Sequence, residues 1–154
     1  MSTQPAHSPA HQALHPLVQR LVLLTGAAVL DGADCEAWAA RPGAAMLVFT
    51  EEPERFKETL DLAVIVPELH AARRGAFRVG LLPPAAAREL ARRYGFARWP
   101  AFVMLRDGQY LGAVDGIRDW DDYVAELDRL LAATPTRAPG IGVPVRAAGP
   151  SACA

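Results

Sequence analysis

Between residues 15 and 133 the apolar positions fall into blocks whose period changes from one block to the next. In HPLVQRLVLL (15–24), Leu17, Val18, Leu21 and Leu24 recur at helical spacing. Pro16 suits the first turn of that helix and Gly26 its end. A short extended piece, AAVL (27–30), follows, and Asp31-Gly32 turns the chain into a short helix over 33–40. Arg41-Pro42-Gly43 stops it. AAMLVFT (44–50) is a continuous apolar run bounded by Gly and charges, the pattern of a buried strand. After the charged stretch EEPERFKETLD, the piece LAVIVPELHAARRG reads as a helix that Pro67 should kink. FRVGLLP (77–83) reads as a strand, and PAAARELARRYG (84–95) as a helix opened by Pro and closed by Gly. AFVMLRD (101–107) and QYLGAVDG (109–116) read as two strands joined at Asp107-Gly108, a strong hairpin signal. DWDDYVAELDRLLAA (119–133) closes the series as a helix with Asp119 as its N-cap. Trp120, Tyr123, Val124, Leu127, Leu130 and Leu131 lie on one face of it.

The predicted order is helix, then β-α-β-α-β-α-β-β-α. A βαβ half followed by an antiparallel ββα half implies an α/β fold: a mixed central sheet with helices on both faces and an extra helix at the N-terminus. The flanks have no such pattern. Residues 1–13 are rich in Pro, Ser, Ala and His, and 134–154 carry Pro or Gly every few positions, so both are expected to be disordered tails around one domain at 14–133.

Composition narrows the function classes. Hydrophobic residues make up 51% of the 154, enough for a packed core without staples. A formal net charge of −1 speaks against nucleic acid or an anionic membrane as partner. The start has no charged and apolar signal-peptide regions, and no apolar run is long enough to span a bilayer, so a soluble cytoplasmic protein is expected. Lys57 is the sole lysine among many arginines, a habit of GC-rich bacterial coding. Cys35 and Cys153 form no framework, since Cys153 lies in the Pro/Gly-rich tail; two free thiols are expected.

The segment 94–116, YGFARWPAFVMLRDGQYLGAVDG, is the most particular part of the chain. A helix end, a short loop, Trp99-Pro100 and a hairpin follow one another. In this order the chain resembles thioredoxin, which carries a cis-proline at the position of Pro100. X-Pro bonds adopt cis far more readily than others. A cis bond there would turn the backbone of Arg98 and Trp99 outward, towards an extended peptide. The resemblance puts Glu54-Arg55-Phe56-Lys57 where the redox Cys-x-x-Cys would stand. Thiol–disulfide exchange needs a thiolate, and no sulfur is there.

One thioredoxin-like family lacks the pair. Over about residues 15–133 the chain resembles the hydrogenase-expression family of the HyaE/HupG/HoxO type. The resemblance rests on HPLVQRL, on the acidic stretch after MLVFT, and above all on RRYGFARWPAFVMLRDGQYLGAVDGIRDWDDYVAEL. It implies a non-catalytic chaperone, without cofactor, for maturation of a membrane-bound nickel–iron hydrogenase. Such a protein would bind the small-subunit precursor and its twin-arginine signal peptide. A homodimer stays open.

Within that frame Glu51, Glu52, Glu54, Glu58 and Asp61 would crowd one tip of the sheet. Guanidinium groups pair bidentately with carboxylates, so these five are candidate peptide-binding residues. The other reading is a solvated loop whose acids complement a helix N-terminus. Trp99 and Pro100 complete the candidate site, with Phe96 and Phe56 nearby; equally, Trp99 could simply cover the hairpin and Phe96 pack inside. Arg98 in the same groove would repel arginines. His7, His11 and His15 share a helical spacing suited to metal, but Pro5, Pro9 and Pro16 interrupt it, and no metal site is assigned. Asp119 reads as a cap, and Asp115, Asp121 and Asp122 as acids that favour a helix N-terminus rather than an extension of the acidic face; Arg88, Arg92 and Arg93 read as the wet side of a helix. Two rival functions remain on this reading: a divergent redox protein using Cys35, and a structural assembly scaffold.

Overall fold

The computed structural model describes residues 14–139. The N-terminal segment 1–13 and residues 140–154 of the expected C-terminal tail lie outside them, as do His7, His11 and Cys153. Helix α1 (Pro16–Thr25) is opened by His15, whose Nδ1 accepts the Leu17 N–H at 3.1 Å. It ends at Gly26, which sits in the left-handed region at φ 68°. Strand β1 (Ala28–Val29) leads to α2 (Gly32–Ala39), where Asp31 Oδ1 accepts the Asp34 N–H at 2.7 Å. Then come β2 (Ala44–Phe49), α3 (Glu58–Ala72), β3 (Arg78–Leu82) and α4 (Pro84–Tyr94). The hairpin of β4 (Ala101–Arg106) and β5 (Gln109–Asp115) precedes α5 (Trp120–Leu131). Its turn has positive φ at both Asp107 (53°) and Gly108 (80°), the geometry that matches the twist of paired strands.

The five strands form one sheet in the order β1-β3-β2-β4-β5. Strands β1 and β2 run parallel to β3, and β4 and β5 are antiparallel additions. Alternation along β2 sends Met46 and Val48 to one face, with Val18 and Leu21 of α1, Leu62, Val66 and Leu69 of α3, and Tyr123, Leu127 and Leu130 of α5. Leu47 and Phe49 go to the other, with Cys35 and Ala39 of α2 and Ala87, Leu90 and Tyr94 of α4. The expected order of elements, the mixed sheet and the helices on both faces are all present.

Three details differ from the sequence reading. Helix α3 starts at Glu58 rather than 62, because Thr59 is buried and anchors the extra turn: its Oγ1 accepts the Glu51 N–H at 3.2 Å. The helix then continues through the buried Pro67. Trp120, first residue of α5, stays 44% exposed instead of joining the core face. Residues 134–139, expected in the disordered tail, run on past α5, with the Thr136 N–H donating to the Tyr110 carbonyl at 2.8 Å and Ala138 packed on the α2–α4 core.

The end of the sheet around Ala44 is tied from several sides. Asp107 Oδ1 accepts the Gly43 N–H at 2.7 Å, and the Asp107 N–H donates back to the Gly43 carbonyl at 3.1 Å. The Arg78 guanidinium donates to the carbonyls of Trp38 and Ala39 at the end of α2 and of Arg41, Pro42 and Gly43 in the turn that follows it. It also stands 4.6 Å from the centre of the Trp38 ring. The same ring covers Gly80 of β3. A Cβ there would lie 2.8 Å from both Trp38 Cζ3 and Leu30 Cδ1. Gly80→Ala is therefore expected to destabilise the fold by about 1–3 kcal/mol through overpacking. Urea denaturation measures it, and an unchanged midpoint would show that Trp38 yields freely.

Candidate functional site

The antiparallel pairing of β2 with β4 sets Phe49 opposite Ala101. The chain leaving β2 (residues 50–57) and the chain entering β4 (residues 97–100) therefore share one end of the sheet. The Trp99-Pro100 bond is cis, Pro100 is buried, and the Gly116 N–H donates to the Pro100 carbonyl at 2.9 Å. The loop before it is held by Asp115, whose Oδ2 accepts the N–H groups of Ala97 (2.9 Å) and Arg98 (3.0 Å). That assigns Asp115 a positioning role that its aspartate-rich surroundings concealed. The stem of Arg98 lies beside Gly116, so the side chain leans towards the exit of β5.

Three rings stack edge to face at this end. Phe96 is 4.9 Å and Trp99 6.4 Å from Phe49, and Phe96 and Trp99 are 5.1 Å apart. Phe49 is fully buried, whereas Phe96 and Trp99 are both half-buried. The cluster thus presents a partly open aromatic surface on a rigid base. The exit of β5 is fixed as well. Tyr123 Oη donates to the Gly116 carbonyl at 3.0 Å and accepts the Arg118 N–H at 3.2 Å. Ile117, between those two residues, is 42% exposed.

The five acidic candidates do not form one group. Glu51 is only 6% exposed, and both its oxygens are taken by Arg88 of α4: Nε donates to Oε2 at 2.9 Å and Nη2 to Oε1. Oε1 also accepts the Glu52 N–H. The Arg88 hydrogen bonds, with help from the Glu52 amide, hold the Glu51 carboxyl below its ordinary range against the opposing effect of burial. Glu51 is therefore a fixed internal partner, and Arg88 is more than the wet side of α4. Glu52, Glu54, Glu58 and Asp61 are exposed. The first two lie in a tight turn in which the N–H groups of Arg55 and Phe56 both donate to the Glu52 carbonyl. Glu58 and Asp61 fall in the first turn of α3, which has no side-chain cap, so they also complement the positive end of that helix. Exposed Arg55 and Lys57 interleave with them, and Phe56 is half-buried.

The tetrapeptide 54–57 occupies the turn just ahead of α3 and carries no sulfur. Cys35 lies 1% exposed in α2, packed among the residues of the α2–α4 core, and burial pushes its thiol up. A buried thiol shifted in that direction is a poor source of thiolate. His15 serves as the cap of α1. Among the described residues no three or more His, Cys, Asp or Glu gather as metal ligands, and no helix is long and apolar enough to cross a membrane. A cleft of about 620 Å³ lies at the opposite end of the sheet, between the hairpin turn, the end of α4 and residues 135–138.

Fold and site together define a thioredoxin-like protein without the redox cysteine pair. A point mutant of thioredoxin from Halobacterium salinarum shares the fold at 19% identity, with a TM-score of 0.53 over 70% of this chain and 93% of that one. The family described as hydrogenase-1 expression protein HyaE matches residues 17–123, and the chain belongs to it. Hydrogenase expression/formation protein HoxO of Cupriavidus necator is 40% identical over 139 residues, 89% of this chain and 86% of that protein. Hydrogenase expression/formation protein HupG of Rhodobacter capsulatus is 38% identical over 130 residues, 84% and 94% of the two chains.

The Glu51–Arg88 pair has a pH signature. Its folded-state pKa lies below that of an unfolded glutamate, about 4.3. The ionised carboxylate therefore stabilises the fold above that unfolded value, and the contribution fades as pH falls through the folded one. Glu51→Gln is expected to lower the urea midpoint most at neutral pH, the gap to the unmodified protein closing in the acid range. A gap of equal size at both ends would assign the loss to packing instead.

Proposed function

We propose that the protein is a non-catalytic chaperone for maturation of a membrane-bound nickel–iron hydrogenase, acting on the small-subunit precursor through its twin-arginine signal peptide. The observation that carries this reading is the pairing, at one end of a thioredoxin-like sheet, of uncommitted carboxylates with a half-open aromatic surface, where a redox protein would carry its thiols. Membership of the HyaE family supplies the hydrogenase context, and its relatives are named hydrogenase expression/formation proteins.

The chemistry follows from the geometry. Glu52, Glu54, Glu58 and Asp61 offer paired acceptors to guanidinium groups. Glu51, held by Arg88, anchors the start of the acidic loop. Trp99, on its base of Phe49 and Phe96, offers apolar area to residues beside the arginines. The peptide lies in extended form along the cis Trp99-Pro100 segment. Holding the signal peptide in this way delays export until the precursor is complete.

A labelled signal peptide titrated against the protein tests this. Changing Glu52, Glu54 and Glu58 together to Lys should weaken binding by about tenfold or more and flatten its dependence on salt. Equal affinity and an equal salt slope would rule out the acidic loop as the arginine site. In the same preparation, insulin reduction should stay at background with Cys35 intact. Activity lost on Cys35→Ser would replace a chaperone with a redox enzyme.

A further inference from the structure

Beside the acidic loop lies a cavity of about 170 Å³, between the start of α1, the chain leaving β2 and the Pro83-Pro84 step into α4. Its apolar walls are Leu14, Val18, Pro53, Pro83 and Pro84. His15 also lines it, with its Nδ1 taken by the Leu17 N–H and its ring exposed. The two hydroxyls in the wall are already engaged: Thr50 Oγ1 donates to the Leu82 carbonyl at 2.8 Å, and Thr59 Oγ1 accepts the Glu51 N–H. Glu51, also in the wall, has its carboxylate consumed by Arg88. The cavity is therefore suited to an apolar guest. A hole of roughly 150 Å³ lined by aliphatic groups accepts a benzene ring, so the space fits one leucine or phenylalanine side chain. Glu52 is also part of the lining, and its side chain is exposed.

An apolar hole with one free carboxylate at its mouth selects a particular neighbourhood in a ligand. We propose that this cavity seats a single apolar side chain of the bound peptide, of leucine to phenylalanine size, while Glu52 pairs with a basic residue close to it in sequence. The inference rests on the peptide-binding reading above and adds a specificity pocket to it. Charge decides the occupant. An acidic segment is repelled by Glu52 and Glu54, an apolar segment without a cation gains nothing from them, and a basic-apolar segment satisfies both parts of the site. The pocket also gives Leu14 and Val18 of the N-terminal helix region a role in recognition that their apolar spacing alone does not reveal.

The test uses the full chain and a series of synthetic peptides. Each carries two adjacent arginines and one phenylalanine, moved position by position along an otherwise Ser/Gly background; a control has no phenylalanine. One placement should bind about tenfold tighter than the control and shift the methyl NMR signals of Val18. Pro53→Trp, which fills the mouth from a half-buried loop position, should remove that gain, so that on this variant every placement binds as its own control does. Val18→Ala enlarges the hole and should move the preference from phenylalanine towards tryptophan, an outcome that requires folded protein and so guards against a plugged variant that fails to fold. Equal binding by every placement, or a gain that survives Pro53→Trp, overturns the pocket. If the control still binds through the acidic loop in that case, the chaperone reading stands without it. If neither the peptides nor the full precursor bind, both fall.

Discussion

The antiparallel contact between β2 and β4 is the constraint on which the candidate site depends. Its register sets Phe49 opposite Ala101, so two loops far apart in sequence emerge side by side. One brings carboxylates and the other Trp99 and Pro100. A one-residue slip would turn Leu47 and Phe49 away from α2 and α4 and dismantle both layers at once. The burial of alternate β2 residues against different helices is what prevents it. The site therefore inherits its placement from the core, and bonds such as those of Asp115 to the Ala97 and Arg98 N–H groups and of Arg88 to Glu51 fix the loops on it.

Around that register the protein uses arginine in two distinct ways. Arg88 neutralises a buried acid next to the site, which leaves the exposed acids in the neighbouring turn and first helical turn free. Arg78 serves carbonyls at the other end of the sheet, where five acceptors converge on one planar group. A lysine there could supply only three donors from a single point. One arginine thus sets the electrostatic character of the tip, and the other seals the end of α2.

The order of elements was legible because its punctuation is chemical. Pro16, Gly26, Asp31 and the Asp107-Gly108 turn mark ends that the backbone then adopts. The start of α3 was not, since a stretch of mixed charges with no capping side chain hides the turn that buried Thr59 adds. The candidate site was legible as a segment but not as a set of roles. Glu51 and Glu52 are identical neighbours in sequence. Only the arrival of Arg88 from α4 turns the first inward and leaves the second free. Residues 134–139 show no periodicity because a single backbone bond to Tyr110, with Ala138 packed behind it, holds them. Asp115 was grouped with the aspartates of the α5 N-terminus because its partners are backbone N–H groups, which leave no trace in composition.

The reciprocal bonds between Asp107 and Gly43 lie a whole strand away from the tip, about 20 Å at the usual rise per residue. Gln109, exposed just past that turn, is therefore a natural handle. A dye, resin or sensor chip attached through a cysteine put in its place would hold the molecule by a corner tied from several sides, with the loops at the far pole still facing the solution.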